Sequence, residues 1–333
     1  MATNPSWFAA ALRSELAARN RLCARGRAHV ESYGPSPVIV YAPEDTRHGN
    51  FFDASYEAIT ANSEWHRRFD KIHAQGRALP KAESGRRWRE LDSSMSSDAL
   101  LMNVFCAPDV RASSILRRTL GVDHEVDPIF GWKARVPLTS GRFDRTEVDM
   151  RWGNLLIEAK LTESDFQTRA AKIVESYRDF DAVFDRDLLP RLELRTTRRR
   201  TAVEFAEEFT QEWEEPATDP ETALEFQQAI VAQARQAEPA EPGYQSYQLI
   251  RNVLAAYAEN CSFCVLHDDR RPDLREAWFA VIAAVKSADL RTRCQVLTWQ
   301  ELAPLLPEDL QEFLDLKYGI AGAGRTPSSV DQH

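Results

Sequence analysis

Cysteine is scarce. Five residues (Cys23, Cys106, Cys261, Cys264 and Cys294) are scattered along 333, an odd number that fits reduced thiols rather than a disulfide framework. Long apolar runs are missing too, since none approaches the roughly 20 residues a membrane-spanning helix needs. The opening MATNPSWFAAALRSELAARNRL is broken by Arg and Glu and so lacks the apolar centre of a secretion signal. The expectation is a cytoplasmic protein with no membrane association. Basic residues are not in excess: the net charge is −9, which argues against a surface that coats nucleic acid everywhere. No internal repeat is visible.

With 43% apolar and 28% charged residues, the composition is that of a globular protein, and the length suffices for one elaborated domain or two modest ones. Charge is uneven. RLELRTTRRRT (Arg191 to Thr201) is strongly basic, and EEFTQEWEEPATDPE after it strongly acidic. Residues 1–91 read as a mostly helical extension with one strand candidate, PSPVIVYAP. Residues 92–320 read as the main domain, with a helical insertion at about 186–242, and 321–333 as a disordered tail. Inside the main domain, SSDALLMNVFCAP predicts a short helix capped by Ser ahead of Asp98. LTESDFQTRAAKIVESYRDF predicts a helix with Thr162 as its N-cap. YQSYQLIRNVLAAYAEN is helical, CSFCVLH a strand, RPDLREAWFAVIAAVKSA a helix and RCQVLTW a strand. Strands alternating with helices predict an α/β core with some parallel pairing.

TEVDMRWGNLLIEAKL (Thr146 to Leu161) carries the chemistry. Gly153-Asn154 suits a two-residue type II′ turn, which sets Trp152 opposite Leu155, Met150 opposite Ile157 and Val148 opposite Ala159. Alternation along the strands then puts Val148, Met150, Trp152, Leu155, Ile157 and Ala159 on one apolar face. The other face collects Glu147, Asp149, Arg151, Leu156, Glu158 and Lys160, with Asp149 directly opposite Glu158. Opposed side chains have Cβ atoms about 4.5–5.5 Å apart, so two carboxylates there repel unless something intervenes. A divalent cation turns that repulsion into ligation, and hard oxygen donors suit Mg²⁺ or Mn²⁺. A neighbouring Lys can orient or deprotonate an attacking water and offset developing charge. From spacing alone, a solvated face with a Glu147–Lys160 cross-strand pair accounts for the same residues equally well.

EVDMRWGNLLIEAK resembles the signature of the PD-(D/E)XK nuclease superfamily: an acid, a gap across a hairpin, then acid–any–Lys, here Asp149 and Glu158-Ala159-Lys160. Val148 stands where the signature's name has Pro. The order helix, three antiparallel strands, helix, strand is matched over roughly residues 95–300, and the chain looks similar to uncharacterised bacterial members. The resemblance implies a restriction-endonuclease-like core, a mixed sheet flanked by helices. It also implies a metal-dependent nuclease acting on nucleic acid, DNA more than RNA, with a dimer possible. By the same resemblance Asp149, Glu158 and the Ala159 carbonyl ligate Mg²⁺ or Mn²⁺, and Lys160 positions the water. Asp98 or Glu125 is a candidate extra acid. Tyr244, Gln248 and Arg251, at helical spacing, are candidate substrate contacts, with a polar surface stripe as the other reading.

Weaker signals remain. Cys261-x-x-Cys264 with His267 and Cys294 has ligand residue types, but a zinc site normally needs two well-spaced pairs, and buried small residues explain these better. His48 in RHGNF reads as a loop residue. RTTRRR (Arg195 to Arg200) is a candidate phosphate patch, and Trp88 in GRRWRE a candidate stacking residue.

Overall fold

The computed structural model describes residues 5–34, 37–73, 79–82, 85, 87–123, 125–194 and 241–320. Most of the expected insertion, the basic run at 195–200 and the expected tail lie outside the described residues. Among the elements that matter here, helices are α1 (Pro5–Cys23), α2 (Ser97–Phe105), α3 (Tyr247–Ala258), α4 (Pro272–Ala283) and α5 (Glu308–Tyr318). Strands are β1 (Ile129–Lys133), β2 (Glu147–Trp152), β3 (Leu155–Ala159), β4 (Ser262–His267) and β5 (Cys294–Thr298).

The five strands form one sheet in the order β5-β4-β3-β2-β1. β2 pairs antiparallel with both β1 and β3, whereas β4 is parallel to both β3 and β5. The mixed sheet flanked by helices is the architecture expected from the sequence. One face carries α2 with Leu12 and Leu16 of α1 and Leu310 and Leu314 of α5, packed on Met150, Trp152, Ile157 and Ala159. The other carries Leu249, Ile250 and Val253 of α3 and Trp278 of α4, packed on Leu156, Phe263 and Val265. Both faces being covered, every residue of β3 is buried, its single acid included, as expected of a strand with a parallel neighbour. The first 91 residues share this core through Leu12, Leu16, Ile59, Trp65, Phe69 and Leu91. Among the described residues no helix is long and apolar enough to cross a membrane.

Next to the turn the hairpin register is as expected, with Trp152 opposite Leu155 and Met150 opposite Ile157, but the ladder stops there, and the expected pairs Asp149–Glu158 and Val148–Ala159 are not formed. Gly153 has φ +59° and Asn154 is not among the positive-φ residues, the asymmetry a type II′ turn requires. The clean sorting of faces fails at Val148, which joins the α3 side with Leu156, while Met150 and Trp152 stay on the α2 side. Glu147 reaches Arg68 and Arg151 reaches Glu259 at the end of α3, so alternation slips between Asp149 and Met150. The opposing residue on β1 slips too. Gly131 has φ +66°, and a Cβ there would strike the Arg68 guanidinium, so a glycine is required by both backbone and space.

Two helix expectations are corrected. Residues 162–180 are not one helix; a strand (Thr168–Ala170) and two single-turn helices (Ala171–Val174, Phe180–Val183) interrupt them. Backbone groups at the start of this stretch bond to distant side chains instead of a helical ladder. Arg271, fully buried, donates to the carbonyls of Leu161, Glu163 and Ser164, and Glu163 accepts from the Leu161 N–H at 2.7 Å. Tyr244 likewise lies in a strand (Glu241–Gln245), paired with Arg191–Leu194 and Thr168–Ala170, and α3 begins only at Tyr247.

Candidate active site

β2 and β3 diverge where the acids sit. Their paired residues end at Met150 and Ile157. A regular ladder would next bond the Ala159 N–H to Val148, because hydrogen-bonded pairs recur every second residue. Instead the Asp149 carboxylate takes that N–H at 2.7 Å. The fork brings Asp149, Glu158 and Lys160 together. Lys160 Nζ stands 2.8 Å from Glu158 Oε1, and its backbone N–H is fixed by Leu266 on β4 at 2.8 Å.

Glu158 is 2% exposed and Lys160 5%, so the pair is almost fully desolvated. The Asn252 side-chain amide of α3 donates to Glu158 Oε2 at 2.8 Å. Glu158 Oε1 is buried and makes no aligned hydrogen bond; its close neighbour is the Lys160 ammonium, held as an ion pair. Burial, then Glu158 and Asp98, push the Asp149 carboxyl well above its ordinary value, against Lys160 and the Ala159 N–H. Burial alone would lower Lys160, but Glu158, Glu163 and Asp149 outweigh it and raise its pKa. At neutral pH Lys160 is therefore an ammonium. Its charge also faces the Phe166 ring, 5.6 Å away, a cation–π contact.

A third acid stands nearby, already partnered. Asp98, on the first turn of α2, accepts from Arg68 at 2.8 Å and lies 3.5 Å from Lys71. Burial raises its carboxyl, but Lys71 and Arg68 outweigh burial and hold it below the ordinary range. Arg68 also binds Glu147 at 3.0 Å, so this side of the fork is a network of alternating charges. Glu125 is elsewhere. It is exposed, pairs with Arg117 at 3.2 Å, and precedes β1 in a loop, not in a strand.

The three expected substrate contacts do not share a face. Tyr244 is buried and donates to Glu175 at 2.8 Å. Arg251 is 1% exposed and its fork is spent on Asp144 at 3.2 Å, on the Thr146 carbonyl and on Asn252. Gln248 lies one turn before Asn252 on α3, and its Oε1 is buried without a donor. Asn252 itself escaped the sequence reading. The signal was its i+4 spacing from Gln248, on a face that also holds Ala255 and Ala256.

The other candidates have ordinary roles. His48 is buried against Asp92, 3.1 Å away, and Trp88 is buried with its N–H on the Pro80 carbonyl. Burial raises the Cys261 and Cys294 thiols to about 11 and about 12. Among the described residues no three His, Cys, Asp or Glu side chains group to hold a metal ion. Two surface hollows, of about 610 and 420 Å³, are lined by residues other than Asp149, Glu158 and Lys160.

The donor set nevertheless fits a divalent cation in the manner of hard-ion sites that use only one or two carboxylates. Two acids crowd together, Glu158 Oε1 is buried with no aligned hydrogen bond and an ammonium beside it, and the Ala159 carbonyl lies between Glu158 and Lys160 in the chain. Comparison with known families finds one match, described as Restriction Endonuclease associating with ARP (REase-ARP), over residues 11–319. No curated protein and no solved structure matches the chain.

Proposed function

Since the chain belongs to the REase-ARP family of restriction-endonuclease-like proteins, we propose that it is a metal-dependent nuclease of PD-(D/E)XK type that hydrolyses phosphodiester bonds in nucleic acid, DNA more than RNA. The family implies nuclease chemistry; the metal, the substrate and the residue roles are the proposal. One observation carries it: Glu158 Oε1, buried with no aligned hydrogen bond, stands 2.8 Å from the Lys160 ammonium and close to the Asp149 carboxylate.

Asp149, Glu158 and the Ala159 carbonyl would hold Mg²⁺ or Mn²⁺. The ion, when bound, makes a water easier to deprotonate and takes up charge on the phosphoryl oxygen. Asp149 keeps its place through the Ala159 N–H, and Glu158 through Asn252. Lys160, being charged, acts as a donor: it orients the attacking water and offsets negative charge growing at phosphorus. The enclosing residues Phe166 and Trp299 exclude bulk water from its flank, the indole N–H of Trp299 bonding the Lys160 carbonyl at 3.3 Å. Gln248 is the candidate contact for a phosphate oxygen. Asp98 is the candidate extra acid, once it is free of Arg68 and Lys71. The family description also names an association with ARP, which we carry to this chain as a proposed partner.

The test is incubation of the purified protein with linear, circular and single-stranded DNA and with RNA, with Mg²⁺, with Mn²⁺ and with chelator. Cleavage of DNA with either ion and none with chelator is expected. Binding without cleavage under every ion condition would refute the catalytic reading.

A further inference from the structure

A carboxylate that ligates a cation has to present a chosen oxygen, and the protein around Glu158 chooses. Its Oε2 is occupied by the Asn252 amide, which leaves Oε1, with the Lys160 ammonium beside it, turned to the fork. An amide has two ends, and only its NH₂ end can serve a carboxylate. Arg251 decides which end faces Glu158: its Nη1 donates to Asn252 Oδ1 at 2.9 Å, and a guanidinium has no acceptor with which to greet an NH₂.

Arg251 is itself anchored. It is fully buried and paired with Asp144 at 3.2 Å, and Asp144 also accepts from the Thr146 and Tyr177 hydroxyls. The remaining Arg251 nitrogen donates to the Thr146 carbonyl, three residues before Asp149 on the entry to β2. One guanidinium thus grips both the strand that delivers Asp149 and the amide that aims Glu158.

We propose that Asn252 is a positioning residue for Glu158, that Arg251 fixes its amide orientation, and that the pair sets the separation of the two acids for one divalent cation. This rests on the metal-site reading above. The relay spans β2, α3 and β3, so a change on α3 reaches the cation without touching it, as outer partners of metal ligands do.

The experiment is a Mn²⁺ titration followed by electron paramagnetic resonance, with a thermal melt of each variant, on the full chain. Glu158→Gln reports on the site itself, and Asn252→Leu on the relay. Asn252→Leu is expected to melt cooperatively and to bind Mn²⁺ about 10–100-fold more weakly. Arg251→Lys, which keeps a charge for Asp144 but not the fork, is expected to weaken Mn²⁺ similarly. Combined with Asn252→Leu it is expected to cost no further affinity. Asn252→Leu binding like the parent while Glu158→Gln loses Mn²⁺ overturns the relay and leaves the site standing. Glu158→Gln binding like the parent overturns the site, and the relay with it. Should Arg251→Lys not fold, Asn252→Leu decides alone.

Discussion

Lys160→Met is expected to abolish cleavage while leaving divalent-cation binding in place. The ammonium stands 2.8 Å from Glu158 Oε1. Losing a charge-stabilising donor of this kind typically costs about 10²–10³-fold in rate. Single-turnover cleavage at saturating Mn²⁺ measures it, with Mn²⁺ affinity measured alongside. Stability changes as well. Without its ammonium, Glu158 stays 2% exposed and keeps, among the described residues, the Asn252 amide, and breaking a buried pair from one side costs about 3–5 kcal/mol. The metal-free variant is therefore expected to melt well below the parent, and Mn²⁺ is expected to raise its melting temperature more than it raises the parent's. A variant with parental stability, or one that still cleaves at the parental rate, contradicts the assigned role.

The second large effect has the opposite sign. Asp149→Asn is expected to stabilise the metal-free protein at neutral pH while removing both cleavage and stabilisation by Mn²⁺. Burial, Glu158 and Asp98 raise the Asp149 carboxyl. A carboxyl whose folded pKa lies above its unfolded value binds more protons folded than unfolded, so it contributes instability. That contribution is absent below about pH 4, grows as pH rises toward the folded pKa and is full above it. Each unit of displacement is about 1.4 kcal/mol. Asn keeps an oxygen for the Ala159 N–H and loses the charge. Melting of parent and variant in chelator, from pH 5 to pH 8, is expected to show a gap in favour of the variant that widens with pH. Excess Mn²⁺ at a hundred times its dissociation constant stabilises a binding-competent fold by about 2.7 kcal/mol, and this gain is expected for the parent alone. A gap that is absent or reversed in chelator contradicts the crowding of the two acids.

The sequence revealed the hairpin because its signals are local. Turn chemistry at Gly153-Asn154 sets the register next to the turn, and the spacing of the motif then places its three residues toward the far end of the hairpin. The helices and parallel strands after residue 245 were legible for a similar reason: each is a short apolar segment with clear stops. What stayed hidden depends on distant partners. The slip at Asp149 needs Gly131 on β1 and Arg68 from the N-terminal region. At the start of 162–180 the carbonyls of Glu163 and Ser164 are taken by Arg271, more than a hundred residues away. Arg251 looked like a phosphate contact because its charge is visible in sequence and its burial against Asp144 is not. Asn252 was missed because a lone Asn on a helix says nothing until the carboxylate it faces is in place. Asp98 was noticed as a cap-region acid, while the Arg68 and Lys71 that hold it come from a segment that matched no motif.

Soaking crystals of the full chain with Mn²⁺ and collecting anomalous diffraction addresses the pivotal point without an assay. A single strong peak within ligand distance of Asp149, Glu158 Oε1 and the Ala159 carbonyl is the expected result. An unoccupied fork, with manganese elsewhere on the molecule or nowhere on it, would contradict the assignment of these residues.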